Sequence, residues 1–391
     1  MAGHVARARI ARAFRGHHRH EGTAEQILTA GLERCWNDRY LTASPGTYRQ
    51  FWTRDLGFAA PALVRLGGPW PERLLRSLEW AIGSWRRRRS HVTTTISPLG
   101  RVPVDLFDYG VDSVPLLLAA LQSLVRAAPH DVAERAAVLA ASNRHWLTAE
   151  VEHYVRTVID PATGLARSDR GFSAHRDTFR NGSTAYANSL VALLARTVAE
   201  TGWGPDLLGS WFHADGNRDW GGLLRRHFWL DDRFRDRPGL VETSGEANVW
   251  PFFAGLVEDP EMLAAALATL QREGYTTPYP LRFAVHHGHD DMLPVFRFYS
   301  ADYQTTTAWT SLGSIYLSLL REVDPAGAAV ELGRMRALIE RDGTLWEVID
   351  AHGRPWRSRL RLSISDASML WGAILLHTLQ QPDAPPLRIG R

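Results

Sequence analysis

The chain has 391 residues, of which 45% are hydrophobic and 15 are tryptophan, and this composition is enough to bury the core of one large or two medium globular domains. Its formal net charge is only +3, and the chain beyond its first twenty residues is slightly acidic, which argues against a nucleic-acid enzyme. No apolar run reaches the ~18 residues of a membrane span, and the single cysteine, Cys35, excludes an internal disulfide framework.

The chain begins with a basic extension, predicted to cover residues 1–22 ahead of a single domain at 23–391. Its first twenty residues, MAGHVARARIARAFRGHHRH, contain five arginines and four histidines but no acid. We interpret the extension as a basic helix that is frayed or packs at the edge of the domain. A tail that binds nucleic acid or an anionic surface, and a transit-like peptide, are the alternatives. It contains no apolar core of signal-peptide length, which favours a cytoplasmic protein.

Apolar residues recur at spacings of three and four through most of the chain, which predicts about a dozen helices. The predicted helices cover residues 23–34, 55–67, 71–87, 112–127, 130–155, 183–202, 217–229, 246–256, 258–272, 302–322, 324–340 and 366–380. Only residues 91–97 and 344–350 are predicted as strands, because they alternate or are rich in β-branched side chains. Long polar and aromatic loops, expected to carry function, lie at 88–109, 160–182 and 274–301. The predicted fold class is all-α with minor β hairpins.

Helices in alternating pairs, with long loops at one end, predict an (α/α)6 barrel of six inner and six outer helices. A helical solenoid would produce the same periodicity. The loops favour the barrel because they concentrate tryptophan, tyrosine, aspartate, glutamate and arginine. Aromatic faces stack on the C–H surfaces of sugars, while charged and amide groups bind the hydroxyls. The loops therefore predict a sugar site.

The segment FWTRD, which ends at Asp55, places an arginine and an aspartate where a loop meets a helix. It resembles the W-x-R-D segment of six-hairpin glycosidases, the group that includes glucoamylases, trehalases and neutral/alkaline invertases. The resemblance implies that Trp52 and Arg54 shape a glycone pocket and that Asp55 hydrogen-bonds the sugar hydroxyls. A structural ion pair with an aspartate in the first turn of a helix is the alternative.

The segment GRVPVDLFDYGVDS carries three aspartates, Asp105, Asp108 and Asp112, just before a predicted helix. It resembles the G-R-V-x-P-V-D-S-x-x-W segment of neutral/alkaline invertases, in which the aspartate is the general acid. Two alignments compete, one pointing to Asp105 and the other to Asp112. We prefer Asp112 because an apolar helix follows it, as in the family, and we assign Asp108 to substrate binding. An N-cap acid without a chemical role is the alternative.

The segment TLWEVID near the C-terminus places Glu347 beside Trp346. It resembles the last catalytic segment of glucoamylases and invertases, where a glutamate before the final inner helix is the general base. Glu347 is the matching residue, and Trp346 is expected to contact the substrate. Glu242 and Glu246 are alternative bases; residues 243–246, TSGE, match a helix-capping box, which argues against Glu246.

Two further segments resemble the inner helices of glycogen-debranching and invertase-like barrels. They are RNGSTAYANSL, which contains Asn188, and GEANVW, which contains Asn248 and Trp250. The resemblance implies that these three residues contact a ligand. Asparagines inside helices can equally hydrogen-bond the backbone of neighbouring loops.

These segments together predict an exo-acting, inverting glycoside hydrolase that cleaves a glucosyl-type bond of a di- or oligosaccharide. Asp112 would be the acid and Glu347 the base, at the ~6.5–9.5 Å separation that inversion requires. The expected partner is a small carbohydrate, with no cofactor, nucleic acid or membrane. The sequence lacks the G-R-E-W string of invertases, which argues against sucrose specificity.

Three other functions stay open. A phosphorylase on the same barrel would use phosphate in place of water. An epimerase or lyase would use histidine or tyrosine, and the segment VHHGHDD at 285–291 supplies three histidines. In that segment the spacing of His286 and His289 permits a metal site, although a polar loop is the preferred interpretation. A non-catalytic sugar-binding protein is the third possibility.

Overall fold

The computed structural model describes residues 16–99, 101–105, 107–204, 213–214, 217–286, 292–359 and 363–389. Within these ranges the helices are α1 Ala24–Cys35, α2 Thr53–Leu66, α3 Trp70–Arg88, α4 Ser113–Ala127, α5 His130–Ser142, α6 Arg144–Val158, α7 Ala185–Thr201, α8 Gly222–Phe228, α9 Trp250–Phe253, α10 Pro260–Arg272, α11 Pro294–Tyr299, α12 Thr310–Val323, α13 Pro325–Asp342 and α14 Gly372–Gln380. The strands are β1 Phe51–Trp52, β2 Thr95–Ser97, β3 Val102–Val104, β4 His213–Ala214, β5 Asn217–Arg218, β6 Trp229–Leu230, β7 Arg233–Phe234, β8 Ala308–Trp309 and β9 Val348–Ile349.

Six of the helices in these described ranges form a closed inner ring. In order around the ring they are α2, α4, α7, α9, α12 and α14, and α14 returns to contact α2. Other long helices pack outside them, α3 against α2 and α4, α10 and α13 against α12, and α1 against α14. A solenoid would leave its first and last helices apart. The closed ring therefore confirms the predicted all-α barrel.

Burial along the helices explains their two layers. Every residue from Thr53 to Val64 in α2 and from Ser113 to Leu124 in α4 is buried. In the outer helix α3, burial follows one stripe that includes Leu74, Leu78 and Trp85. A helix that is buried all round belongs inside a large core, and one with a single apolar stripe belongs at its surface.

The two inner helices α2 and α4 touch closely at Gly57. A Cβ atom added there would lie 2.5 Å from the Cβ atom of Leu116. We expect Gly57→Ala to destabilise the chain by about 1–3 kcal/mol, because the added methyl group overpacks the ring. Gly333→Ala is the control, since Gly333 is exposed in α13 and its added Cβ meets nothing within 4 Å. That control should stabilise the chain by about 0.5–1 kcal/mol, as measured by urea unfolding. Equal effects of the two substitutions would contradict this account.

The predicted helix at 130–155 is wrong as one element, because it is broken into α5 and α6 at Asn143. This residue has φ −112° and ψ 8°. Its Nδ2 atom donates to the carbonyl oxygen of Leu139 at 2.8 Å, and its Oδ1 atom accepts from Arg86 at 2.8 Å. Side-chain bonds of this kind compete with the helical pattern and end the first helix.

Other predicted helices begin later than expected. The helix predicted at 302–322 begins at Thr310, because a turn precedes it in which the indole N–H of Trp309 donates to the carbonyl oxygen of Tyr303 at 2.5 Å. The helix predicted at 366–380 begins at Gly372. The segments left out of these helices contribute Tyr303, Trp309, Met369 and Trp371 to the central cavity described below.

Short antiparallel sheets lie at the N-terminal ends of two inner helices. Strand β1, which leads into α2, pairs with β2, and β2 pairs with β3. Strand β8, which leads into α12, pairs with β9, so that Trp309 lies opposite Val348. Of the two predicted strands, 91–97 contributes only β2 and 344–350 contributes only β9. These sheets hold in place the segments that lead into α2 and α12.

The N-terminal segment packs against the end of α13. The guanidinium of Arg19 donates to the carbonyl oxygen of Arg341 at 2.6 Å, and the N–H of His20 donates to that of Gly343 at 2.8 Å. Basic groups near the last carbonyls of a helix complement its dipole. Residues 1–15 of the extension lie outside the described ranges. Within those ranges, no helix has the length and hydropathy needed to cross a membrane.

Candidate active site

A cavity of about 250 Å³ opens where the N-terminal ends of the inner helices converge. Its walls come from α2 and the segments before α2, α7, α12 and α14, and from Glu347 at the start of β9. Carboxylates, aromatic rings and a guanidinium share these walls. The lining residues are Ala43, Tyr48, Trp52, Arg54, Asp55, Phe58, His175, Asp177, Thr178, Phe296, Tyr303, Trp309, Glu347, Met369 and Trp371.

Four residues singled out in the sequence, Trp52, Arg54, Asp55 and Glu347, line this cavity. The first three stand together because β1 ends at Trp52 and α2 begins at once, so that Arg54 and Asp55 lie in the first turn of an inner helix. Burial raises the pKa of Asp55 to about 7, and the charges of Asp177 and Glu347 act in the same direction while Arg54 opposes them. The cavity is thus lined by several carboxyl groups and by one buried cationic side chain, the guanidinium of Arg54.

Asp177 is a third carboxylate of the cavity, and the sequence interpretation missed it. It accepts a hydrogen bond from Arg54 Nη1 at 3.1 Å, and its side chain is 29% exposed. Burial raises the pKa of Asp177 to about 6; Arg54 opposes this shift, and the charge of Asp112 adds to it. Its only sequence signal was its position in the long polar loop 160–182, directly before the segment RNGSTAYANSL.

Asp112 does not line the cavity. Its side chain is fully buried at the start of α4. Its Oδ2 atom accepts hydrogen bonds from Arg54 Nε and from the hydroxyl of Tyr186, the latter at 3.0 Å. Because Arg54 and Tyr186 enclose this carboxylate, it fastens the guanidinium that also holds Asp177. The structure thus gives Asp112 a supporting position behind the cavity wall.

The other two aspartates of that segment also lie outside the cavity wall. Asp105 accepts hydrogen bonds from the N–H and the hydroxyl of Thr94, at 2.7 and 2.8 Å, and so fastens the loop between α3 and β2. Burial raises the pKa of Asp105 to about 6, although the hydrogen bonds from Thr94 oppose this shift. Asp108 is exposed.

Glu347 is held rigidly at the cavity wall. Its backbone N–H donates to the carbonyl oxygen of Asp366 at 2.8 Å, and its own carbonyl oxygen accepts from the N–H of Thr310 at 3.1 Å. The carboxylate accepts from the hydroxyl of Tyr303 at 2.8 Å and from the N–H of Asp366 at 3.1 Å. Hydrogen bonds donated to a carboxylate stabilise its charged form.

The alternative bases lie elsewhere. Glu246 is buried, with Oε1 accepting from Arg176 Nε at 3.2 Å and Oε2 lying 3.4 Å from Nδ1 of His175. These partners hold the side chain of Glu246 in the core. The N–H of Ala247 donates to the hydroxyl of Ser244 and not to that of Thr243, so the predicted capping box is not formed. Glu242 is exposed and lines a separate cavity of about 440 Å³.

The two predicted asparagines fasten loops. Asn188 accepts from the N–H of Ala166 at 2.8 Å and donates to the carbonyl oxygen of Thr184 at 2.8 Å. Asn248 accepts from the N–H of Phe234 at 2.8 Å. Neither residue lines the cavity. Their amides instead satisfy buried backbone groups.

The two remaining tryptophans also have structural surroundings. Trp250 is fully buried and packs on Phe58 and Tyr186, with ring centroids 4.8 and 4.9 Å apart. Trp346 donates its indole N–H to the carboxylate of Asp342 at 2.8 Å, on the side of the strand away from the cavity. Both side chains support the ring instead of lining the cavity.

His286 is exposed and lines the separate 440 Å³ cavity, not the central one. Its proposed companion His289 lies outside the described residues. Among the residues that are described, no group of three or more histidine, cysteine or acidic side chains has the arrangement of a metal site.

The closed ring of six inner helices, with the cavity at its centre, is the six-hairpin barrel fold of glycosidases. Neither a family model nor a curated protein matches the sequence. Solved structures with this fold do match.

One of these structures is the GH63 mannosylglycerate hydrolase from Thermus thermophilus, in complex with Tris and D-glycerate. Its TM-score is 0.60 at 16% identity, covering 91% of this chain and 100% of that chain. A glycosidase variant in complex with glucose has a TM-score of 0.61 at 16% identity, covering 93% and 96%. A rhamnosidase from Klebsiella oxytoca with rhamnose bound has a TM-score of 0.64 at 14% identity, covering 92% and 63%. At these identities the likeness establishes a shared fold, and the activity has to be argued from the site.

Proposed function

We propose that the chain is a glycoside hydrolase that removes a terminal sugar from a small glycoside with inversion of configuration, with Asp177 as general acid and Glu347 as general base. The observation that carries this proposal is that carboxylates from different segments of the ring, Asp177 and Glu347 among them, line one cavity. A pair of this kind is what acid and base catalysis of glycosidic cleavage requires. The barrel shared with glycosidases supports the same reaction class.

Asp177 has the surroundings of an acid. Burial raises its pKa to about 6, which keeps a fraction of the side chain protonated near neutral pH. The hydrogen bond from Arg54 Nη1 occupies Oδ1 and fixes the carboxyl group. The other oxygen is then available to protonate the oxygen of a leaving group.

Glu347 has the surroundings of a base. The hydroxyl of Tyr303 and the N–H of Asp366 each donate to its carboxylate and so favour the charged form. A charged carboxylate with remaining lone pairs can accept a proton from water. Because Glu347 and Asp177 come from different segments of the ring, they can act on a sugar held between them.

The rest of the cavity fits the sugar itself. Asp55, whose pKa burial raises to about 7, offers a carboxyl group that can donate or accept hydrogen bonds with hydroxyls. The rings of Trp52, Trp309 and Trp371 line the same cavity. Such rings pack against the C–H face of a pyranose. We assign these four residues to glycone binding.

The reaction then balances as follows. Water transfers one proton to Glu347 while its oxygen forms a bond to the anomeric carbon of the sugar. The bond from that carbon to the leaving oxygen breaks, and this oxygen takes the proton of Asp177. The attack and the departure occur on opposite faces of the ring, so the sugar is released with inverted configuration.

The size of the cavity favours a small substrate. Its volume of about 250 Å³ is below the ~300–1,000 Å³ of typical ligand pockets. We therefore propose a disaccharide, or a sugar linked to a small aglycone such as glycerate, or the end of a longer saccharide. The mannosylglycerate hydrolase among the structural neighbours supports testing the glycerate-linked sugars.

The test is product formation from sucrose, maltose, isomaltose, trehalose, glucosylglycerate, mannosylglycerate and maltooligosaccharides, with and without phosphate. NMR of the fresh product gives the anomer. A free sugar of inverted configuration is expected. Sugar phosphate would identify a phosphorylase, and calorimetric binding without turnover would identify a sugar-binding protein; either result would overturn the proposal.

The pH dependence of turnover should report the proton on Asp177. With its pKa raised to about 6, Asp177 loses that proton as the pH rises through about 6, so kcat/KM should fall on the alkaline side. We expect Asp112→Asn to move this alkaline limb to lower pH, because the charge of Asp112 helps to raise the pKa of Asp177. The freed guanidinium of Arg54 acts in the same direction by pairing more fully with Asp177.

The measurement is kcat/KM between pH 4 and 9 for the wild type and Asp112→Asn. A shifted limb with turnover largely retained supports Asp112 as a residue that positions Arg54. Loss of turnover by orders of magnitude at every pH, in a folded variant, would instead return the acid role to Asp112.

A further inference from the structure

A second, smaller chamber adjoins the cavity at Glu347. Its volume is about 60 Å³, enough for about two waters at ~30 Å³ each. It shares Tyr48, Phe296, Tyr303 and Glu347 with the cavity, whereas Asp177 lines the cavity alone. The chamber is therefore on the side of the base and not on that of the acid. Its other lining residues are Thr47, Tyr299, Ser300, Trp356, Ser363 and Ile364.

Hydroxyl groups provide polar atoms in a chamber wall that is otherwise largely aromatic and apolar. The hydroxyl of Tyr299 lies 2.7 Å from that of Ser363, and the hydroxyl of Tyr303 lies 3.4 Å from that of Tyr48. Tyr303 also donates to Glu347 at 2.8 Å, so hydroxyls of the chamber connect to the carboxylate. A space of this size, with several hydrogen-bonding partners, is the kind that holds ordered water and does not stay dry.

Trp356 forms an aromatic part of the chamber wall. It is 3% exposed, and its ring packs on Tyr303 at 4.6 Å between centroids. This packing holds Tyr303 in place between the chamber and the cavity.

Hydrolysis consumes one water in each turnover, and that water has to reach the base. Once a sugar fills the cavity, it separates the base from the cavity mouth, yet the attacking water must stand between the base and the anomeric carbon. A chamber that contacts Glu347 but not Asp177 can supply water on the side of the sugar where the base stands. After each turnover, the same chamber can replace the water that was consumed.

We propose, on the basis of the hydrolase function above, that this chamber holds the hydrolytic water and delivers it to Glu347. Tyr303, shared by chamber and cavity, orients that water by its hydrogen bond to the carboxylate. The water gives one proton to Glu347, and its oxygen bonds to the anomeric carbon as the leaving oxygen takes the proton of Asp177. Water from the cavity mouth is not needed for this step.

The test fills the chamber at Ser363. Ser363→Val adds volume and removes the bond to Tyr299, whereas Ser363→Ala removes the same bond without adding volume. We expect kcat of the valine variant to be lower than that of the alanine variant by about 10-fold or more, because the water is displaced from its attack position. KM should stay the same in both, since the sugar binds in the cavity. The substrate is the glycoside of the panel that the wild type cleaves fastest.

A crystal structure of the wild type gives a readout independent of activity and of the folding of either variant. Ordered water within hydrogen-bond distance of Tyr303 or Glu347 in the chamber is expected. An empty chamber, or equal kcat in the two variants with an active wild type, would overturn the chamber proposal alone. A wild type that cleaves no glycoside would overturn the proposed function, and the chamber's role with it.

Discussion

Replacing Asp177 by asparagine is expected to lower kcat on glycosides with poor leaving groups by about 10²–10⁴-fold. The asparagine keeps the shape of the side chain and can still contact Arg54, but it has no proton to give to the leaving oxygen. Glycosyl fluorides need little of that help, because fluoride departs without protonation. We therefore expect Asp177→Asn to lose far less activity on glucosyl or mannosyl fluoride than on the corresponding disaccharide.

The measurement compares kcat on the disaccharide with fluoride release from both anomers of each glycosyl fluoride. Asp112→Asn serves as the matched control, because it removes the other carboxylate bound to Arg54. An equal loss on both substrate types would show that Asp177 is not the acid. A thermal unfolding temperature close to that of the wild type confirms that the site is intact.

Replacing Glu347 by glutamine should abolish turnover on both substrate types, with a loss on the order of 10²–10⁴-fold or more. The reason is that every substrate needs a water deprotonated during attack, whatever its leaving group. The amide of glutamine can still accept from Tyr303 but cannot take a proton. Binding of the released sugar, measured by calorimetry, should persist, because Glu347 acts on the water.

The two variants therefore have different signatures. Asp177→Asn should respond to the leaving group, and Glu347→Gln should not. If Glu347→Gln retains near-normal hydrolysis of a disaccharide, Glu347 is not the base. If the responses are exchanged, so that Glu347→Gln alone is rescued on the fluoride, the roles of the two carboxylates are reversed.

The sequence was most informative where a motif and an inner helix coincide. Trp52, Arg54 and Asp55 are consecutive or nearly so, and they stand at the start of a helix whose apolar pattern is unmistakable. The resemblance of this segment to the glycosidase motif predicted their place in a pocket, and the structure places them in the cavity wall because β1 ends where α2 begins. Glu347 was singled out in the same way, from a short strand ahead of the last inner helix.

The sequence predicted Asp112 as the general acid, whereas the proposed acid is Asp177, the other carboxylate bound to Arg54. The difference has a physical reason. In the sequence, Asp112 precedes an apolar helix and resembles a known motif, whereas Asp177 is one residue of a polar loop without periodicity. Arg54 and Asp177 are separated by 123 residues, and only the closed ring brings them together. The same packing seals Asp112 behind Arg54 and Tyr186, which no local pattern records.

Side-chain orientation decided the remaining differences. Asn188, Asn248, Trp250 and Trp346 lie on the predicted segments, but each faces a loop or a neighbouring helix and not the cavity. Periodicity predicts which face of a helix is buried. It cannot tell the part that faces the cavity from the part that packs on other helices, since both are buried in a two-layer ring.

The sequence by itself determined the all-α class, most of the helices, the aromatic and charged character of the loops and two of the carboxylates that line the cavity. These properties are encoded locally, in apolar spacing and short motifs. The tertiary structure alone decided that the ring closes, which further carboxylate joins the cavity, which carboxylates are sealed in the core, and where the chamber at Glu347 lies. Those properties depend on contacts between segments far apart in the chain, and such contacts form only when the six inner helices close into a ring.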